Sequence, residues 1–498
     1  MSQWEQSSQE ARGAGAPAVV NSALEPLIER AERAVLAGDL ATLRALVGQL
    51  WPDRHALPEL LTRRLVEGRT RAPLLTLELL GGFAGRAAAP YLQRVADDAA
   101  VADLVRWSAR RRLGWPERGQ ARRRLAFLAA LRDPDRTLVE ATAQATAAWP
   151  PDSELLDEVL AYLVALPATR RQGLLRRIAT QLGARAGWLL HAALFLDDAA
   201  SPRLALAEIA RLRSPGAAEA VARLAATART RQLRDVAATT AQRLRLRVLD
   251  RPPPAPASLP PLTEALLSAL DGAGYQLACV VRQWPDGLCW VAYYLLHAEH
   301  GLRAVGGLSR ATADLLAAQL AGVQERGVAL VAVDLPALRG AVRRALAQNA
   351  AARQHVPPNF ELWEPALHDH YPPPTDEPVA AVLLDDREQV DRADLVLASA
   401  GLAEHPFFRT WWLPVGVFPD TRAEHGAGSD AREELRARLR HHAWLLERAG
   451  DRAARDLALA LAARLAVAPP EELARLPFWR ALAARRPQAA PAVLLPRR

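Results

Sequence analysis

The feature that most constrains this chain is a run of short apolar segments at helical spacing, from about Val19 to Leu249. Each spans roughly 10–16 residues and is closed by Gly, Pro or Asp. Examples are "LATLRALVGQLW", "RRRLAFLAAL", "ELLDEVLAYLVAL" and "GWLLHAALFL". About fourteen helices are expected, too many and too regular for one bundle. A helix pair with one apolar stripe cannot bury it alone, so neighbouring pairs must stack. Residues 18–249 are therefore expected to form an α-solenoid, preceded by a disordered N-terminus at 1–17. A compact irregular helical domain is the alternative that an alanine-rich sequence also permits.

The later helices suggest a period of about thirty residues. "SPRLALAEIARLRS" begins at Ser201 and "TRQLRDVAATTAQRL" at Thr230, with "GAAEAVARLAATA" between them. Further upstream, "LRDPDRTLVEATAQATAAW" places Asp133, Asp135 and Val139 ahead of an alanine-rich helix. These segments resemble HEAT-type repeats, most clearly over residues 125–247. The resemblance implies helix pairs joined through an aspartate-containing turn, and a concave surface that binds another macromolecule. The arginine expected near the start of the second helix is replaced by Leu138 in one unit and matches Arg234 in another.

The pattern breaks at "RPPPAPASLPP", Arg251 to Pro261, so 250–262 reads as a proline-rich linker. Beyond it, a small mixed α/β sheet domain is expected over 263–420, making the fold mainly α with an α+β part. C-terminal helices should follow over 430–486 and a loose tail over 487–498. The segment "YQLACVVRQWPDGLCWVAYYLLHAEH", Tyr275 to His300, reads as a hairpin. With Asp286-Gly287 as a two-residue turn, Tyr275, Leu277 and Cys279 share a face with Leu288, Trp290 and Ala292. Cys279 and Cys289 then lie on opposite faces; a three-residue loop would bring them to the same one. "VALVAVD" and "VAAVLLDD" read as further strands. "LDGAGYQLACVVR", "VPPNFELWEP" and "HPFF…WW" resemble uncharacterised domains that follow HEAT-like repeats in some bacterial proteins, a resemblance that implies no activity.

Composition excludes several chemistries. All 63 basic residues are arginine, the mark of a GC-rich genome. Without lysine there can be no Walker A loop, kinase-type ATP anchor or Schiff base. Two cysteines cannot build a four-thiolate zinc or iron–sulfur site, nor a disulfide framework. With no signal pattern and no run of about 18 apolar residues, a cytoplasmic location without membrane contact is expected. Net charge is +9 over residues 1–250 and −1 over 251–498.

Arginine clusters on the helices include Arg110, Arg111, Arg122, Arg123, Arg176, Arg177 and Arg234. They are candidate partner-binding residues, either for a protein or, lining one groove, for phosphates; a solvated outer face is the plainer reading. Trp411 and Trp412, within "HPFFRTWWLPVGVF", are candidates for a partner contact, with packing between sheet and helices as the alternative. His297, Glu299, His300, His368 and His370 are weighed as metal ligands, but His297 and His300 at the end of a strand should diverge. Asp334, Asp385 and Asp386 end predicted strands, where a hydrolase could keep carboxylates; helix capping accounts for them more simply. No cofactor and no catalytic or metal-binding residue is assigned, and whether the chain is an enzyme stays open, with the balance against. The expected function is a protein–protein interaction scaffold. Nucleic-acid binding through an arginine-rich face is one alternative, and a hydrolase in the second half is another.

Overall fold

A computed structural model of the chain describes residues 16–113, 120–198, 200–212, 216–250, 257–371, 392–411, 427–473 and 475–484. Among these, fourteen α-helices precede residue 251. They are α1 (Ala16–Leu36), α2 (Leu40–Leu50), α3 (Leu57–Val66), α4 (Pro73–Ala84), α5 (Ala88–Asp97), α6 (Asp103–Leu113), α7 (Gln120–Ala129) and α8 (Pro134–Ala145), followed by α9 (Ser153–Ala165), α10 (Ala168–Leu182), α11 (Gly187–Ala193), α12 (Ala200–Leu212), α13 (Ala217–Thr227) and α14 (Arg231–Asp250). The even-numbered helices begin 30 to 34 residues apart, at Leu40, Pro73, Asp103, Pro134, Ala168, Ala200 and Arg231.

The turns share a polar construction that explains where helices stop and start. Aspartates accept from the free N–H groups of the following helix: Asp39 from Thr42 (3.0 Å), Asp133 from Arg136 (2.9 Å) and Asp198 from Ser201 (2.7 Å). Arginines three residues into α6, α10 and α14 reach back to the carbonyls left over at the end of the preceding helix. Arg106 donates to Ala96 (3.1 Å), and Arg171 to Leu163, Val164 and Leu166 (2.7–2.9 Å). Arg234 donates to Ala228 and Arg229 (2.9 and 3.0 Å). A guanidinium suits this role because it holds five N–H donors in a planar fork.

The chain divides into two compact units, 1–141 and 142–498. The division falls within α8, not at the proline-rich stretch, of which residues 251–256 lie outside the described residues. In the first unit Ile28, Leu50, Leu57, Leu61, Leu80 and Val95 form the core. A polar knot is buried beside it. Arg64 donates to Glu25 (2.8 Å), Glu32 (3.4 Å) and the Arg69 carbonyl (3.1 Å), while Glu32 also accepts from the Arg71 N–H and the Thr76 hydroxyl, both at 3.2 Å.

The second unit joins the later helices to a five-stranded sheet. Its strands are β2 (Leu262–Ser268), β3 (Tyr275–Gln283), β4 (Cys289–His297), β5 (Gly301–Ala311) and β6 (Leu330–Ala332), in the order β5-β4-β3-β2-β6. A two-stranded ribbon pairs β1 (Ala257–Ser258) with β7 (His370–Tyr371). Among the described residues every pairing in the sheet is antiparallel, and the fold is mainly α with an α+β part, as expected. Neither β2 nor β5 is anticipated from the sequence: β2 follows directly on the prolines, and β5 carries glycines at 301, 306 and 307. The strand expected at "VAAVLLDD" lies outside the described residues.

The hairpin register differs from the expected one. Gln283 pairs with Cys289, and Trp284 N–H donates to Leu288 (2.8 Å), so three residues turn the chain: Pro285, Asp286 and Gly287, with Gly287 at φ +85°. The extra residue flips β4 relative to β3. Leu277, Cys279, Val281, Cys289, Val291, Tyr293 and Leu295 now share one core with Val323 of α15 (Ala313–Glu325). The opposite face carries Arg282, Trp290 and Tyr294 against α16 (Leu335–Ala351), α17 (Phe360–Trp363) and the 364–367 turn. There Tyr294 donates to the Trp363 carbonyl (2.7 Å). A Cβ at Gly307 would lie 2.1 Å from the Val291 carbonyl and 2.6 Å from the Trp363 ring, so only glycine fits. The short helix α18 (Ala393–Ala398) precedes the long hairpin α19 (Ala427–Arg448) and α20 (Arg452–Val467), then α21 (Pro470–Leu473) and α22 (Pro477–Ala483). Among the described residues no helix is long and apolar enough to cross a membrane.

Candidate functional site

The arginines singled out in the sequence divide between the two units. On α6, Arg110 is half-buried and donates to Gln93 (3.3 Å), and Arg111 is also half-buried. Arg122 and Arg123 on α7 are exposed. In the second unit Arg176 on α10 is exposed, Arg177 is half-buried, and Arg234 is occupied in capping α13. Two neighbours from the same clusters, Arg106 and Arg171, are likewise spent on carbonyls.

Trp411 is 5 % exposed. Its ring packs against Phe408 (5.1 Å), His442 (4.9 Å) and Phe478 (6.1 Å), and its indole N–H donates to the Leu270 carbonyl (2.8 Å). It serves as packing between sheet and helices, the alternative that the sequence left open. Trp412 lies outside the described residues.

The other chemical candidates are occupied structurally. Cys279 and Cys289 are buried free thiols on one face, four positions apart along the paired strands, or about 13 Å. Burial pushes the Cys279 thiol far above its ordinary range. His297 and His300 do not diverge: the turn at 298–300 folds His300 back so that the rings stack at 4.4 Å. His297 Nδ1 accepts from the Glu299 and His300 N–H groups, and burial, then His300, lowers its pKa to about 4. His368 is buried and His370 exposed. Among the described residues no three His, Cys, Asp or Glu side chains are arranged to hold a metal. Asp334 caps α16, accepting from Ala337 (2.8 Å), and pairs with Arg448 (2.9 Å); Asp385 and Asp386 lie outside the described residues.

A group of buried charges was passed over in the sequence reading. Arg223 projects from the apolar stripe of α13 and grips Glu361 of α17 and Glu364 in the following turn. Its Nε and Nη2 donate to Glu361 at 2.9 and 2.7 Å; its Nη1 and Nη2 donate to Glu364, both at 2.7 Å. Phe360 lies under the guanidinium at 5.3 Å. Burial drives Glu361 upward to about 7, with Glu364 and Glu219 adding to the rise and Arg223 opposing it. His191 on α11 is buried, and burial with the nearby Arg223 lowers it to about 3. Tyr371 is buried with its hydroxyl against Gly216, and burial raises it far above its ordinary range. Its ring meets Trp188 (5.0 Å) and the partly exposed Trp149 (5.8 Å). The available signal was local: charged residues standing among apolar neighbours in "AVARLAA" and "NFELWEP".

The chain matches no known protein family, curated protein or solved structure. Its function must therefore be read from its own geometry. That geometry holds, caps and fastens. The cavity lined by Asp271, Val328, Phe407 and Thr410 has room for about one water.

Proposed function

We propose that this protein is an interaction scaffold, built on helix pairs of HEAT type and binding another protein in the cytoplasm. The observation that carries this reading is the interval of 30–34 residues between successive even-numbered helices, joined to the arginine cap at the fourth residue of three of them, α6, α10 and α14. Helix pairs that recur at such an interval bury their apolar stripes against neighbouring pairs, and an array of this kind offers surface for a partner. The proline-rich stretch at 251–261 then leads from this array into the sheet.

The test is capture by the purified full-length chain from nuclease-treated bacterial lysate, with washing at low and at raised salt. A protein partner retained in stoichiometric amount after nuclease treatment supports the scaffold. Recovery of nucleic acid, with retention abolished by nuclease, would replace it with the arginine-face reading, for which exposed Arg122, Arg123 and Arg176 are the available contacts.

A further inference from the structure

The Arg223 cluster holds one positive charge against two carboxylates, a net charge of −1 where Glu361 is only 1 % exposed. Arg223 Nη2 bonds an Oε2 of each glutamate at 2.7 Å, so these oxygens are at most about 5.4 Å apart. The buried guanidiniums that border the same turn, Arg282 and Arg339, donate to the Ala366 and Leu367 carbonyls. Glu219, on the same helix as Arg223, adds negative field, while Tyr371 and His191 stay neutral. From α9, which also packs on α17, come Glu154, whose carboxylate accepts from the Ser309 N–H of β5 (3.2 Å), and the buried Glu158. Two carboxylates this close in a dry site do not both stay ionised when only one cation is shared between them.

We propose that Glu361 and Glu364 share one exchangeable proton near neutral pH, so that this junction between α13 and the segment covering the sheet is a proton-linked tie. On protonation, a proton from water bonds to one carboxylate oxygen, leaving Arg223 paired with one carboxylate and one neutral acid. On deprotonation the proton returns to solvent, and two anions repel each other across a single guanidinium. The rise of Glu361 towards 7 through burial agrees with this. A carboxyl raised above its unfolded value takes up a proton on folding. Its contribution is therefore fully present below the unfolded value near 4.5 and is lost as pH rises through about 7.

The experiment compares urea midpoints of the full chain between about pH 6 and about pH 8 for the natural sequence, Glu361→Gln and Glu364→Gln. The natural protein should lose stability towards the higher pH, and both variants should lose most of that dependence. Glu361→Gln removes the titrating acid, whereas Glu364→Gln leaves Arg223 to a single carboxylate that then stays ionised. Infrared difference spectra across the same range should show a carboxylic-acid carbonyl band in the natural protein that is missing from Glu364→Gln. Equal pH dependence in all three proteins, or persistence of the band in Glu364→Gln, would overturn the shared proton.

Discussion

Arg64 illustrates how this chain uses its only strong cation inside the fold. Its guanidinium is 2 % exposed and Glu32, its partner, 1 % exposed. Removing one member of a buried pair strands the other without solvent, which costs more than the pair itself contributes. Arg64→Ala should lower unfolding stability by about 3–5 kcal/mol in urea titration. A loss below about 1 kcal/mol would mean that water reaches Glu32. Gly301 makes a similar demand through the backbone. It sits at φ +71°, and a Cβ there would lie 2.4 Å from the Ala345 carbonyl and 2.3 Å from Asn349 Oδ1. Asn349 is fully buried, and its Oδ1 accepts the Leu302 N–H at 2.7 Å, so it cannot withdraw freely. Gly301→Ala should cost at least about 2 kcal/mol, read from the same titration.

The helical cap at Arg171 makes a prediction one level up. Three of its N–H groups hold the Leu163, Val164 and Leu166 carbonyls, and the guanidinium also pairs with Asp198. In Arg171→Ala those carbonyls lose their partners, so the last turn of α9 should fray. Amide exchange would rise in residues 163–168, with protection elsewhere in α9 unchanged; uniform exchange across the helix would reject a capping role. Elements of this kind were legible in the sequence because helix periodicity and aspartate turns are local signals: about fourteen helices were expected before the proline-rich stretch, and fourteen are found among the described residues. Arg234 was singled out through the HEAT-type resemblance, as the arginine near the start of a second helix; its capping contacts emerge only in the fold. The sheet was less so. Strand β5 hides behind three glycines, of which Gly307 and Gly301 permit the close approach of Trp363 and Asn349, a purpose that exists only in the folded chain. The hairpin register turned on whether Pro285 belongs to the strand or the loop. That one residue decided which face both cysteines occupy. The members of the Arg223 cluster stood out singly among apolar neighbours, but their contact could not be read, because Arg223 and Glu361 are 138 positions apart.

For the whole molecule, arginine abundance overstates what could meet a nucleic acid. The first 250 residues carry a net charge of +9, yet Arg64, Arg106, Arg171, Arg223 and Arg234 within them point into turns and buried carboxylates. Arg94, Arg112, Arg136 and Arg211 are paired with Glu59, Glu78, Glu140 and Glu208. Each phosphate neutralised contributes about −0.9 to the slope of log K against log salt on duplex DNA. Under the proposed scaffold function, with these nine arginines engaged within the fold, duplex binding should be weak and the slope shallower than about −3. Fluorescence anisotropy with a labelled duplex over a salt series measures this directly. A slope near −6 or steeper, reduced by about 2 in the double variant Arg122→Gln, Arg123→Gln, would show that the exposed arginines of α7 work on phosphates. The partner would then be nucleic acid rather than protein.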